Sequence, residues 1–302
     1  MKSHLSIVNE LHPDFRILDP LERAIVMRCG GREVIEAIYP KLVRDAVDFV
    51  LDPVGTARTR VDELDNVEKT FIGLKLEHYV RDMLDVPKGL RDLEIDGVDV
   101  DIKNTVRRNW SIPQETYRDE EPCLLMAVND EQFTCSLGLI VAKLDYLHKG
   151  KGNRDTKKGV SAEGFKHIKW IIAEKPFPAS RFADLDMGRF RELRDTIRKG
   201  NERAGAFFRE NLFKVVHRDV VLALLFDQKD PMKRLRADGG ISDFFKRENK
   251  AVLIGTAVKD RRLAADLGIR NFERDAIVSV EPRSHAEWQL LKDAGEIVTQ
   301  SW

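Results

Sequence analysis

The stretch "DLEIDGVDVDIKNT", Asp92 to Thr105, decides how the first half of the chain folds. Asp96-Gly97 is a two-residue hairpin signal, because a type I′ turn needs positive φ at both central positions and these residues tolerate it. Counting outward sets Ile95 against Val98, Glu94 against Asp99, Leu93 against Val100 and Asp92 against Asp101. Side chains alternate across a strand, so Leu93, Ile95, Val98, Val100 and Ile102 form an apolar face. Asp92, Glu94, Asp99, Asp101 and Lys103 share the other.

Carboxylates that face one another across an antiparallel pair repel. A divalent cation offsets that repulsion. Mg²⁺ takes oxygen ligands, keeps several of its waters and is held by one or two carboxylates plus a substrate phosphate, which suits Asp92 and Asp101. Lys103, two residues beyond Asp101 on the same face, is placed to orient or help deprotonate a water and to steady charge on a phosphate. The chemistry expected is phosphodiester hydrolysis. The competing reading is an edge strand guarded by charge, in which the acids only keep the hairpin soluble. Glu77, on the preceding helix beside Leu74 and Leu76, adds a carboxylate from a neighbouring element.

Working outward, apolar residues recur at helical spacing from Asp19 to Asp52 (among them Ile25, Val34, Ile38, Leu42 and Val50). Gly30-Gly31 breaks the pattern, which predicts two helices. "VEKTFIGLKLEHYVRDML", residues 67–84, predicts one amphipathic helix with Gly73 as its weak point. "CLLMAVND" at 123–130 and "FTCSLGLIVAKL" at 133–144 predict strands, and a helix is expected over about 162–173. Two prolines interrupt "EKPFPASRFADLD", which sets a first domain at 1–174, a linker at 175–186 and a second domain at 187–302.

The second part reads as helical. In "DPMKRLRADGGISDFFKRENKAVLIGT", residues 230–256, Asp230 can cap a helix with Pro231 in its first position, and Gly239-Gly240 makes a turn. A second helix over about Ser242 to Asn249 and a strand over Ala251 to Thr256 follow. Helix, tight turn, helix, strand is the order of a winged helix-turn-helix, whose second helix would offer Lys246, Arg247 and Lys250 to DNA. The plainer alternative is a helical hairpin with a solvated basic face.

The composition, 42% hydrophobic and 34% charged over 302 residues, is that of a soluble globular protein of two domains. No apolar run approaches the ~20 residues that cross a bilayer, and the first residues lack a signal-peptide core, so a cytoplasmic protein is expected. Cys29, Cys123 and Cys135 are odd in number and widely spaced, which argues against a disulfide framework and against zinc. Net charge is zero, yet residues 1–150 hold 20 Lys/Arg against 28 Asp/Glu, and residues 151–250 hold 24 against 15. An acidic first half joined to a basic middle suits a metal site beside a surface for a polyanion.

The helix carrying "EKTFIGLKLE" followed by "DLEIDGVDVDIK" resembles the PD-(D/E)xK nucleases, including the MutH-like group with its K-x-x-x-G-x-x-x-E helix. More closely, the chain resembles the NaeI family of type IIE restriction endonucleases. The likeness rests on Glu68-Lys69-Thr70, on Asp92 to Lys103, and on "DPMKRLRADGG" at Asp230 to Gly240, and it covers roughly residues 45–270. "NTVRRNWSIPQET", after Lys103, departs from the family pattern. The resemblance implies an α/β fold: a restriction-endonuclease-like mixed sheet flanked by helices, then a mainly helical, CAP-like winged helix-turn-helix domain. It implies Glu77, Asp92, Asp101 and Lys103 as catalytic residues, with Asp92, Asp101 and Glu77 holding Mg²⁺. It also implies a homodimer that cleaves double-stranded DNA and binds two sites. Arg107, Arg108 and Lys246 are candidate DNA contacts, with Arg247 and Lys250. Two alternatives stay open: a non-catalytic helix-turn-helix regulator, and a MutH-like nicking repair endonuclease.

Overall fold

In a computed structural model of the chain, residues 5–106, 109–150, 152, 155–236 and 238–298 are described. They fall into two compact units, Met1–Asp52 with Thr59–Ser180, and Pro53–Arg58 with Arg181–Trp302.

The first unit opens with α1 (Phe15–Arg28) and α2 (Arg32–Leu51). Gly30 at φ +84° and Gly31 at φ +119° separate them, a backbone that side-chain-bearing residues rarely adopt. The one-turn α3 (Pro53–Thr56) goes with the second unit. Next comes α4 (Asn66–Leu84). Its start is a capping box: Asp65 accepts from the backbone of Val67 and Glu68, and Glu68 returns a bond to the Asp65 N–H at 2.9 Å.

The sheet follows as β1 (Leu93–Ile95), β2 (Val98–Thr105), β3 (Pro122–Asn129), β4 (Thr134–Val141) and β5 (Lys169–Pro176), with α5 (Gln114–Arg118) between β2 and β3. The strands lie in the order β1-β2-β3-β4-β5. Only β2 and β3 run parallel. The hairpin register is the expected one, Leu93 with Val100, Glu94 with Asp99 and Ile95 with Val98. Asp96 and Gly97 take φ of 51° and 80°, the double positive value of a type I′ turn.

Both faces of the sheet are covered, which is why β3 and β4 read as continuous apolar runs. Leu124, Met126, Leu137 and Leu139 join Tyr39, Val43, Ile72 and Leu76 of α2 and α4 in one core. Leu125 and Ile140 join Trp110, Ile112 and Phe165 in another. The helix expected over 162–173 is instead a short 3₁₀ segment, Gly164–His167, leading into β5. Trp170, Ile171 and Ile172 suit a half-buried pleat, and the run pairs with β4. Pro176 ends β5 where its missing N–H costs nothing, since β5 is an edge strand.

The second unit contains α6 (Met187–Thr196), α7 (Gly200–Glu210), α8 (Arg218–Leu224), α9 (Ile241–Phe245), α10 (Val258–Asp266) and α11 (His285–Asp293). Its strands β6 (Val216–His217), β7 (Ala251–Ile254) and β8 (Ala276–Val280) pair in the order β6-β8-β7. Phe190, Phe207, Phe208, Val221, Leu224 and Phe245 pack on one side of this sheet, and Leu263, Trp288 and Leu291 on the other. The first helix expected after Asp230 is a single 3₁₀ turn, Met232–Arg234. The second is α9, prolonged by a 3₁₀ turn over Lys246–Glu248. β7 does pair antiparallel with a later strand, but α10 lies between them, so they do not form a simple hairpin wing. Among the described residues no helix is long and apolar enough to cross a membrane.

Candidate active site

β1 begins only at Leu93, opposite Val100, so β2 from Asp101 onward has only β3 as a strand neighbour. α4 packs there instead. A Cβ at Gly73 would stand 2.6 Å from Asn104 Nδ2 and 3.2 Å from Asn104 Cβ, so any side chain there would displace the Asn104 amide and press on its Cβ. Glu77 lies four residues on, on the same helix face, and is carried to the carboxylates of the hairpin.

The five acids of the opening stretch now separate by role. Asp96 pairs with Arg28 at 2.7 Å, and Glu94 is exposed. Asp99 Oδ1 accepts the backbone N–H of Leu90 at 2.6 Å, in a space that a side chain at Gly89 would fill. Asp92 and Asp101 remain, within hydrogen-bonding reach of each other. Asp92 Oδ2 accepts the Ile102 N–H at 2.8 Å, which fixes Asp92 beside Asp101. Asp101 is only 4% exposed. Its Oδ1 receives Lys103 Nζ at 2.5 Å and its Oδ2 receives Thr116 Oγ1 at 2.8 Å.

Burial raises the Asp101 pKa and the Lys103 bond opposes that rise. Glu77 is pushed up to about 7, first by burial and then by the negative charge of Asp92. Arg91 forms a fork with Glu121, Nε to Oε2 and Nη2 to Oε1 both at 2.9 Å, which borders the group. The Arg91 guanidinium also feels the charge of Asp101 and Glu115.

Among the described residues no three or more His, Cys, Asp or Glu side chains already surround one ion-sized point. The fold brings together a pair, Asp92 and Asp101, with Glu77 in reach of Asp92. An all-oxygen pair of carboxylates is a donor set that fits Mg²⁺, which retains waters in its remaining positions. The excess of negative charge, with Lys103 as the cation bonded to Asp101, fits the same ion.

Glu77, Asp92, Asp101 and Lys103 are thus assembled in one place. Thr116, Gly73 and the Arg91–Glu121 fork join them without having been singled out by the hairpin's pattern. Of these only Gly73 carried a signal, as the glycine of the K-x-x-x-G-x-x-x-E helix.

The expected DNA contacts are dispersed. Lys246 Nζ donates to Gly295 O at 2.8 Å, and Lys250 lies 3.6 Å from Glu281. Arg247 is exposed, with no side-chain hydrogen bond or ion pair among the described residues. Arg107 and Arg108 lie outside the described residues.

A mixed five-stranded sheet with helices packed on it defines an α/β protein of the restriction-endonuclease-like class. The chain belongs to the family described as restriction endonuclease NaeI, whose model matches residues 36–302. That match reaches past the stretch over which the motifs align and takes in residues 271–302, whose described part includes β8 and α11. The chain is also similar to the type II restriction enzyme NaeI of Lentzea aerocolonigenes, 29% identical over 239 residues that cover 76% of this chain and 73% of that enzyme.

Proposed function

We propose that this protein is a Mg²⁺-dependent, sequence-specific endonuclease that hydrolyses phosphodiesters in both strands of DNA. The observation that carries the reading is the meeting of Glu77, Asp92 and Asp101 with Lys103 around a carboxylate that is 4% exposed, in a chain of a restriction endonuclease family. A hairpin whose acids served only solubility would leave them in water.

Asp92 and Asp101 would hold the ion, with Glu77 beside Asp92. When bound, Mg²⁺ supplies Lewis-acid polarisation of a phosphoryl oxygen and lowers the pKa of a water. Lys103, rooted in β2, offers the donors that hydrogen-bond the attacking water and a non-bridging phosphate oxygen. Thr116 and the Ile102 N–H fix the orientations of Asp101 and Asp92, so the carboxylates do not reorganise as charge develops. Glu77, which burial and Asp92 keep protonated toward neutral pH, would release that proton to solvent if an ion were held beside it.

The same proposal makes the protein a homodimer that binds two DNA sites, as the likeness to type IIE enzymes implies. Its support is a second folded unit in the part of the chain that is richest in Lys and Arg. Arg247 is the exposed candidate contact there.

The test is incubation of supercoiled plasmid with and without Mg²⁺, followed by sequencing of the product ends. Linear product with constant ends, formed only with Mg²⁺ and accelerated by a short duplex carrying the same site, supports the reading. Nicked circles alone would favour a MutH-like nickase. Salt-sensitive binding without cleavage would favour a regulator.

A further inference from the structure

The second unit holds a cleft of about 600 Å³ that the cleavage chemistry does not use. It lies between the start of α7, the 3₁₀ turn at Met232–Arg234 and α9. Its size falls within the range of small-molecule sites, about 300–1,000 Å³.

The lining has four properties that converge on one chemistry. First, it is cationic. Arg198 and Arg234 have no ion-pair partner among the described residues, whereas Lys199 and Arg209 are balanced by Glu202 and Glu248. Second, it contains buried polar atoms without partners. Arg234 Nε is a buried donor lacking an acceptor, and Asn201 Oδ1 a buried acceptor lacking a donor. Asn201 is held at the wall by its amide, which donates to Gly239 O at 2.6 Å, while its Oδ1 has almost no accessible surface. Third, the N-terminus of α7, an eleven-residue helix, opens onto the cleft at Gly200 with no side-chain cap. Its free N–H groups and dipole favour an anion. Fourth, Phe244 stands on the wall with 49% of its surface exposed. A phenyl ring left in water beside free cations is the layout of a platform on which a base stacks while cations take the phosphate.

We propose that this cleft binds one nucleoside monophosphate unit. The base lies on Phe244, and the phosphate is taken by Arg198, Arg234 and the N–H groups at the start of α7. Inorganic phosphate would leave Phe244 unused, and a nucleoside would leave the two arginines unused. The unit has two sources, a free nucleotide or an unpaired nucleotide at a DNA end.

The experiment is titration calorimetry of the full chain in EDTA, where metal-dependent cleavage is silent. The probes are dAMP, inorganic phosphate, deoxyadenosine, a 5′-phosphorylated single-stranded hexanucleotide and a blunt duplex. The expected result is saturable binding of dAMP, with phosphate and deoxyadenosine each at least about tenfold weaker, since a stacked base alone accounts for a factor of that order. Phe244→Ala and Arg234→Gln should each weaken dAMP by about tenfold or more. Arg262→Ala, exposed on α10 and outside the cleft, should leave it unchanged. A hexanucleotide that binds more tightly than dAMP, with the same dependence on Phe244 and Arg234, assigns the cleft to a DNA end, and equal or weaker binding assigns it to free nucleotide. The proposal is overturned if neither dAMP nor the hexanucleotide binds, if the two cleft variants bind as well as wild type, or if only the duplex binds. Because Phe244 is half exposed, its variant is expected to fold, and an unchanged melting temperature checks this.

Discussion

Thr116 Oγ1 donates to Asp101 Oδ2 at 2.8 Å, and the two residues are 1% and 4% exposed. With Lys103 on Oδ1, each oxygen of the Asp101 carboxylate has a fixed partner and the carboxylate plane is set. Thr116→Val keeps the shape and removes the hydroxyl. Cleavage should fall by about 10–100-fold, with more Mg²⁺ needed for half-maximal rate, the usual cost of losing a group that orients a ligand. Thr116→Ser should retain most of the activity. Single-turnover rates across a Mg²⁺ series measure both, and a Thr116→Val enzyme with wild-type rates would remove Thr116 from this role.

Gly73→Ala sets two effects against each other. Alanine gains about 1 kcal/mol of helix propensity over glycine. The new Cβ meets Asn104, whose own Cβ is 3.2 Å away and cannot swing aside, and such overpacking costs about 1–3 kcal/mol. The net expectation is a loss of up to about 2 kcal/mol together with slower cleavage, because α4 carries Glu77 away from Asp92. Adding Asn104→Gly should recover stability in denaturant melts. If the single variant were more stable than wild type, the close contact between α4 and β2 would be wrong.

The acids of the hairpin divide into those that stabilise and those that strain. Asp99→Ala removes the solvent-exposed bond that holds the Leu90 N–H and should cost about 0.5–1.5 kcal/mol while leaving cleavage measurable. Asp92→Asn relieves repulsion with Glu77 and Asp101, so in EDTA it should melt at or above the wild-type temperature yet fail to cleave. Equal losses of stability and activity in both variants would contradict the division.

Glu77 gives a pH dependence to the metal-free protein. Its carboxyl is near pKa 7 when folded and near 4.5 when unfolded, so between those values the folded state binds the extra proton. Stability from this group is therefore present below about pH 4.5 and is lost as pH rises through about 7. Melts in EDTA from pH 5 to about 8 should show wild type falling relative to Glu77→Gln, and Mg²⁺ should recover more stability at the upper end. Parallel wild-type and variant curves would mean that Glu77 is not held protonated by its surroundings.

The hairpin was legible because its determinants are local: Asp96-Gly97 sets the turn, period-two alternation sets the faces, and together they put Asp92 by Asp101. The body of α4 was legible for the same reason, through its apolar periodicity, whereas its Asp65 cap was not read. Thr116 was not, since it reaches Asp101 only through the parallel pairing of β2 with β3, which brings α5 alongside. Gly73 could be marked as a weakness in a helix but not as a contact, because Asn104 comes to it through packing. At 162–173 a helix was expected, but pairing with β4 drew Trp170–Ile172 into a strand. The basic run at 246–250 had a plausible helical spacing, yet carboxyl and carbonyl groups far along the chain engage Lys246 and Lys250. Long-range partners of this kind leave no trace in local periodicity.

The most direct measurement of the central claim compares plasmid cleavage by wild type, Asp101→Asn and Lys103→Ala with Mg²⁺, alongside DNA binding by each in Ca²⁺. Both variants should lose about 10²-fold or more in cleavage rate while binding DNA within a few-fold of wild type. Cutting at the wild-type rate by either variant would show that the hairpin of Asp92, Asp101 and Lys103 is not the cleavage centre.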